Sequence, residues 1–246
     1  MVYIEFIGPP GAGKSTLYSK LLRRDDFYGG IKKDGITRKH IENQTSHQKI
    51  IYSVAPQFLR SMYNRTYLEC EYRKKAFIRY MNRNPEFTEV LSMVLQSENQ
   101  SQKLLKRMIN VVEDYQIGID TVREHEHLCI DEGFMMNLTS AFWRMNDDKI
   151  SLDQIFSVIP IPDVLIYVTA RPQVCLSRQI NRERIAVSED WVNKSNLASQ
   201  KEIMNICDNI VTKIDDTIII KIDNTSDLET SWQELLKGLG DLIKQK

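Results

Sequence analysis

The chain has 246 residues, 42% of them apolar and 27% charged, with 33 basic residues balancing 33 acidic ones. That length suits one large domain with a continuous core, and the composition excludes a disordered chain. A formal net charge of zero also excludes a global pull toward nucleic acid or anionic membrane, so such partners need a local patch. Glycine and proline are scarce, at 10 and 7, which predicts long helices; yet Gly8, Pro9, Pro10, Gly11 and Gly13 crowd into residues 8–13.

Residues 2–7, Val-Tyr-Ile-Glu-Phe-Ile, predict a strand that stops at Gly8, and Leu17, Leu21 and Leu22 then recur at helical spacing. The opening MVYIEF has no basic n-region, and Glu5 interrupts its apolar run, so no signal peptide is expected. A weaker strand candidate lies near Gly35–Arg38. One helix is predicted between Phe58 and Met81, with Leu59, Met62, Tyr63, Thr66, Tyr67, Cys70, Phe77, Tyr80 and Met81 on one face, and another over Gln102 to about Tyr115. Three apolar runs read as buried strands: His127–Asp131, Asp163–Thr169 and Thr217–Ile222. Ser199-x-x-Glu202 and Ser226-x-x-Glu229 read as capping boxes that open the last two helices.

Strands alternating with helices imply an α/β fold with a parallel sheet covered on both faces. With no repeat or linker-like stretch, residues 1–246 read as a single domain, in which about 40–120 form a helical excursion on the sheet. The apolar stretch Val158–Ala170 carries Pro160, Pro162 and Asp163 and is too short to span a bilayer. Cys70, Cys129, Cys175 and Cys207 form no CxxC pair and read as buried reduced thiols, so a soluble cytoplasmic protein is expected.

The stretch Gly8-Pro-Pro-Gly-Ala-Gly-Lys14-Ser15 matches GxxxxGK[ST], after a strand and before a helix, where a phosphate loop must sit. Its glycines let consecutive amides turn toward phosphate oxygens, and the helix start adds the positive end of its dipole. Gly8, Gly11, Ala12, Gly13, Lys14, Ser15 and Thr16 are the expected nucleotide-binding residues, with Lys14 reaching the β- and γ-phosphates and the Ser15 hydroxyl ligating Mg²⁺. Such a site also needs an acid at a neighbouring strand end to hold the metal, and Asp131 closes the HLCID run. Glu132 follows, as either the base for an attacking hydroxyl or a metal-orienting group, and Gly133 lets the chain turn away beside the nucleotide. Charge developing on the transferring phosphoryl group needs further cations. Arg171, Arg178, Arg182 and Arg184 follow the strand that ends at Thr169, with Arg178 and Arg182 at i, i+4 on one helix face.

At these residues the chain resembles the nucleoside and nucleotide kinase group of phosphate-loop proteins, in its thymidylate kinase and deoxynucleoside kinase branch. IEFIGPPGAGKST is similar to the opening strand and loop of that group. PDVLIYVTARPQVCLSRQINRER resembles the strand, helix and arginine-bearing lid, with Arg178, Arg182 and Arg184 on the basic positions. IIIKIDNTSDLETSWQELL resembles the final strand, adenine-side loop and last helix. The resemblance implies a P-loop NTPase fold with a five-stranded parallel sheet, a lid at about 171–200, ATP with Mg²⁺ as donor, and catalysis by Lys14, Asp131, Glu132, Arg178, Arg182 and Arg184. It does not extend to thymidylate specificity. Asp131-Glu132 stands where that family has Asp-Arg, and Thr37-Arg38 is followed by Lys39-His40 where it has Glu-Pro.

The expected partner is therefore a small-molecule phosphate acceptor, and the sequence is compatible with a homodimer. Arg60, Arg65, Lys75, Arg79 and Arg83 on the 58–83 helix, with Arg73 and Lys74 nearby, read as a solvated face, with contact to a phosphorylated or polymeric anion as the alternative. His125-x-His127 reads as structural, with a metal cluster as the alternative. A nucleotide switch or ATPase acting through a partner is the competing class. No Asn-Lys-x-Asp guanine signature supports it, since Asn193-Lys194-Ser195-Asn196 lacks the acid, and no LSGGQ-like signature occurs.

Overall fold

Side chains alternate along the first strand, β1 (Tyr3–Ile7), and its two faces enter different cores. In the computed structural model, which describes residues 1–29, 54, 56, 69–96, 101–145, 151–181 and 197–243, the helix α1 (Lys14–Leu21) follows β1 across the glycine-rich turn. A two-residue strand, β2 (Phe27–Tyr28), comes next. Three helices then precede the next strand: α2 (Glu69–Arg83), α3 (Phe87–Gln96) and α4 (Ser101–Thr121). The rest of the order is β3 (His127–Ile130), α5 (Phe134–Met145), α6 (Leu152–Phe156), β4 (Val164–Thr169), α7 (Pro172–Asn181), α8 (Leu197–Lys213), β5 (Ile218–Asp223) and α9 (Leu228–Ile243).

Among the described residues the sheet has five strands in the order β2-β3-β1-β4-β5, and every pairing is parallel. This is the expected P-loop NTPase architecture, with the central strand leading into the phosphate loop. Register sets the site. Glu5 lies opposite Ile130, so β3 ends beside β1 and delivers Asp131 to the edge where the loop begins.

One face of the sheet packs Ile4, Phe6, Val164, Ile166, Val168, Ile220 and Ile222 against α1 and α9. The other packs Ile7, Leu165 and Tyr167 against α2, α3, α4, α5, α6 and α8. At about 25 cal/mol per Å² of buried apolar surface, these two cores supply the main drive for folding. The described helices of the excursion, α2, α3 and α4, thus form a layer of the larger core.

Several boundaries differ from the sequence reading. The strand expected near Gly35–Arg38 and residues 58–68 of the basic helix lie outside the described residues. Ser199 is inside α8 and buried, so it does not cap that helix; its neighbours Gln200 and Ile203 are buried with it. In α9 the cap is one residue later than the box predicts. The Asp227 carboxylate accepts from the Thr230 amide at 2.8 Å and from the Thr230 hydroxyl at 2.9 Å. Asp227 is favoured over Ser226 because a charged oxygen suits the positive helix start better. No helix of the described residues is long and apolar enough to cross a membrane.

Candidate phosphate-binding site

The loop between β1 and α1 turns through positive φ at Gly8 (147°), Gly11 (84°) and Gly13 (100°). Gly13 caps α1 in the left-handed conformation, and a Cβ there would lie 2.2 Å from Asn224 Nδ2. Its carbonyl accepts from the Thr16 and Leu17 amides, both at 3.1 Å, which starts the helix. The loop is braced from two sides. Gln179 of α7 donates to the Pro10 carbonyl at 3.0 Å, and Asn224, just past β5, donates to the Ala12 carbonyl at 2.7 Å.

Lys14 Nζ folds back over this loop, donating to the Gly8 carbonyl at 2.6 Å and the Pro9 carbonyl at 3.1 Å. Burial pulls its pKa down, while Asp131 and Glu132 pull it up. The predicted metal pair also comes together, with Ser15 close enough to the Asp131 carboxylate to favour its charged form. Burial raises the Asp131 pKa, and Ser15 and Lys14 oppose that rise. Asp131 Oδ1 is buried with no partner among the described residues. A hydroxyl and a carboxylate with an unmet oxygen are hard donors that fit Mg²⁺, which takes few protein ligands and keeps most of its waters. Glu132 is exposed beside them, and its backbone carbonyl accepts from Asn137 Nδ2 at 2.9 Å.

Arg178 sits at the end of α7 with Nη1 donating to the Asn224 carbonyl at 2.8 Å, so it bridges to the loop that braces Ala12. Arg182 and Arg184 lie outside the described residues. Gly133 has a further constraint that the sequence did not show: a Cβ there would meet the Glu5 carboxylate at 2.2 Å.

The strand order, the loop geometry and the Ser15–Asp131 pair describe a nucleotide phosphate site. A family described as "AAA domain" matches residues 4–205, most of the chain, including the phosphate loop and Asp131. The chain belongs to the AAA domain family. This AAA domain is also similar to solved structures of deoxyadenosine kinase from M. mycoides. One, with bound dCTP, is 12% identical over 97% of this chain and 98% of that one, with a TM-score of 0.46. Another, with bound dATP, is 11% identical over 96% and 98%, with a TM-score of 0.44. No curated protein matches the chain. The architecture of the AAA domain is fixed by its own sheet order, not by these likenesses.

Sequence reasoning missed four residues that build the site. Asn224 and Gln179 brace the loop. Cys207 of α8 lies near Gly8 of the loop, with its thiol pushed up to about 11 by burial. Glu5 is an acid with no exposure in the central strand. Only Glu5 left a signal in the sequence, as a lone charge in an apolar run. The alternatives held open elsewhere also find their place. Arg73 pairs with Glu113 and Asp114 of α4, and Arg79 with Asp120, so much of the basic face is committed within the fold. No His, Cys, Asp and Glu cluster suited to a metal occurs among the described residues.

Proposed function

We propose that the protein is an ATP- and Mg²⁺-dependent phosphotransferase that moves the γ-phosphoryl group to a small acceptor, a nucleoside or nucleotide. The observation that carries the reading is Lys14 folded over the phosphate loop beside Ser15 and an Asp131 carboxylate whose Oδ1 has no partner among the described residues. Ser15 and Asp131 would hold the metal, which when bound neutralises charge on the β- and γ-phosphates. Lys14 exchanges the Gly8 and Pro9 carbonyls for phosphate oxygens, and the loop amides and the α1 dipole orient the same group. Glu132, exposed one residue beyond Asp131, takes the acceptor hydroxyl proton or orients the metal. Arg178, with Arg182 and Arg184, meets the charge that develops on the transferring group. The expected setting is cytoplasmic, and a homodimer is compatible with the reading.

The test is a screen of nucleosides, nucleotides and sugars for acceptor-stimulated ATP consumption, with Lys14→Ala as control. Stimulation by a nucleoside or nucleotide, lost in the variant, supports the assignment. Steady hydrolysis that no acceptor stimulates points to an ATPase switch instead. Unimpaired turnover in Lys14→Ala removes the phosphate loop from the chemistry. Glu132→Gln separates the two roles of that residue: slowed transfer with ATP binding retained marks the base, and equal losses mark the metal orienter.

A further inference from the structure

Glu5 is an acid in the middle of a buried strand, and none of the phosphate chemistry above uses it. Its carboxylate has no exposure, yet it is engaged on three sides. Oε1 accepts from the Phe134 amide at 2.8 Å and from the Tyr3 hydroxyl, and Oε2 accepts from the Met135 amide at 2.8 Å. Phe134 and Met135 open α5, so these amides are donors that a helix leaves unpaired, and the carboxylate stands at the positive end of the helix dipole. The cap comes from across the sheet rather than from the preceding turn. Gly133 is fitted to it, since a Cβ there would collide with the carboxylate.

What this carboxylate joins gives it a role. Gly8 of the phosphate loop lies a short step beyond Glu5 on one side, and Asp131 and Glu132 lie immediately before α5 on the other. Backbone pairing between β1 and β3 runs up to Glu5 opposite Ile130. The Glu5 side chain carries the connection onward to α5, so the segment bearing Asp131 and Glu132 is held at both ends.

We propose that Glu5 is a positioning residue for the phosphate site: by gripping the first amides of α5 it fixes the Asp131–Glu132 segment against the phosphate loop, and the ionised carboxylate is the form that grips. Its effect on turnover rests on the phosphotransfer reading; the grip itself does not. A carboxylate accepts on both oxygens, whereas the protonated acid places an O–H where one amide needs an acceptor. Burial pushes the Glu5 pKa up to about 7, against the lowering effect of its three hydrogen bonds. The groups facing it are Tyr3 on its own strand, Tyr115 on α4 and Cys129 on β3, with Tyr80 of α2 coupled to both tyrosines. Burial raises all four above their ordinary values, so each stays neutral while Glu5 titrates. Asp131 interacts with Cys129, and Asp163 with Tyr115, at one remove from Glu5.

The test follows the amides first. In the full chain, protection of the Phe134 and Met135 amides, corrected for intrinsic exchange, is expected to fall about tenfold as the Glu5 carboxyl protonates. Tyr3→Phe removes a bond that lowers the Glu5 pKa, so the fall should move to higher pH. Glu5→Gln should lower kcat about tenfold with the nucleotide KM within about twofold, and should abolish the matching inflection in the pH profile. Amide protection that stays flat across this range in the wild type, or a transition unmoved in Tyr3→Phe, overturns the proposal whatever the turnover. A wild type that grips and titrates as described but transfers phosphate to no acceptor leaves the grip standing and strikes only the phosphotransfer reading.

Discussion

The side chain of Asn224 reaches the carbonyl of Ala12 at 2.7 Å, joining the end of the last strand to the phosphate loop that follows the first. Asn224 is itself held, with its Oδ1 accepting from Ser231 at 3.2 Å and its backbone carbonyl accepting from Arg178 at 2.8 Å. One amide therefore ties β5, α7 and α9 to the loop. It also explains why Gly13 admits no side chain, because a Cβ there would strike Asn224 Nδ2.

Replacing Asn224 by Ala leaves the buried Ala12 carbonyl short of a partner, while the Ser231 hydroxyl keeps the Asp227 carbonyl at 2.9 Å. The expected loss is about 1–3 kcal/mol of stability, read by denaturant unfolding. Nucleotide affinity should fall as well, because the loop loses its brace. Asn224→Asp should be worse than Ala, since it sets a carboxylate oxygen against the Ala12 carbonyl. Calorimetric nucleotide titration of the three proteins ranks them, and equal affinities would show that the loop keeps its shape without the brace.

Much of this site was legible in the residues, and the reason is local. Gly8 to Ser15 carry their geometry in their own backbone preferences, and Asp131 marks itself by closing an apolar run. The braces were not legible, because each acts across the fold. Nothing near Asn224 or Gln179 in the chain says that its amide will meet Ala12 or Pro10. Capping signals failed for a related reason. Ser199 matches a box by spacing, but the helix that contains it is set by the buried stripe Ile203, Cys207 and Ile210 and runs past it. Gly133 reads as a turn beside the nucleotide, and its fit against Glu5 was not legible. Only the pairing of β1 with β3 places the Glu5 carboxylate against it.

Glu5 also predicts how stability should depend on pH. Its pKa is raised from 4.5 to about 7 in the folded protein, so between those values the native state binds more protons than the unfolded chain. Stability from this group is complete below pH 4.5 and is lost as pH rises to about 7. The full loss is about 3 kcal/mol at 1.36 kcal/mol per pKa unit, an order-of-magnitude figure. The expected result is that the wild-type minus Glu5→Gln difference in unfolding free energy falls over that window and is flat above it. A difference that rises with pH there would mean that the hydrogen bonds outweigh burial and hold the carboxyl below its ordinary value.

Arg73 predicts the fate of the basic helix. It contacts Glu113 and Asp114 at 2.7 and 2.8 Å, and all three side chains are at most 16% exposed. Removing one partner from a shielded ion network leaves uncompensated charge, so Arg73→Ala should destabilise by about 3 kcal/mol. Arg73→Met, which keeps the bulk, should lose nearly as much, because the two acids remain. Oligonucleotide affinity should respond little to either change. A large drop in affinity, with a steep salt dependence in the wild type, would restore the anion-binding reading of this helix.

Gln200 carries the opposite expectation. It lies on the buried face of α8 with no exposure, and neither its Nε2 nor its Oε1 has a partner among the described residues. An unmet buried amide costs its desolvation without return, so an apolar residue of similar size should be better tolerated than the native one. Gln200→Leu also extends the stripe of Ile203, Cys207 and Ile210 by one turn. The expected gain is about 1–3 kcal/mol, enough to raise the melting temperature by a few degrees in a chain of this size. Tyr80→Phe is the parallel case, because its buried hydroxyl also lacks a partner among the described residues while its ring packs against Phe87 and Phe134. Thermal unfolding of the two single variants and the double variant decides the matter. Gln200 and Tyr80 enter separate elements, so their gains should add. A fall in melting temperature for Gln200→Leu would show that its amide meets groups on which the folded chain depends.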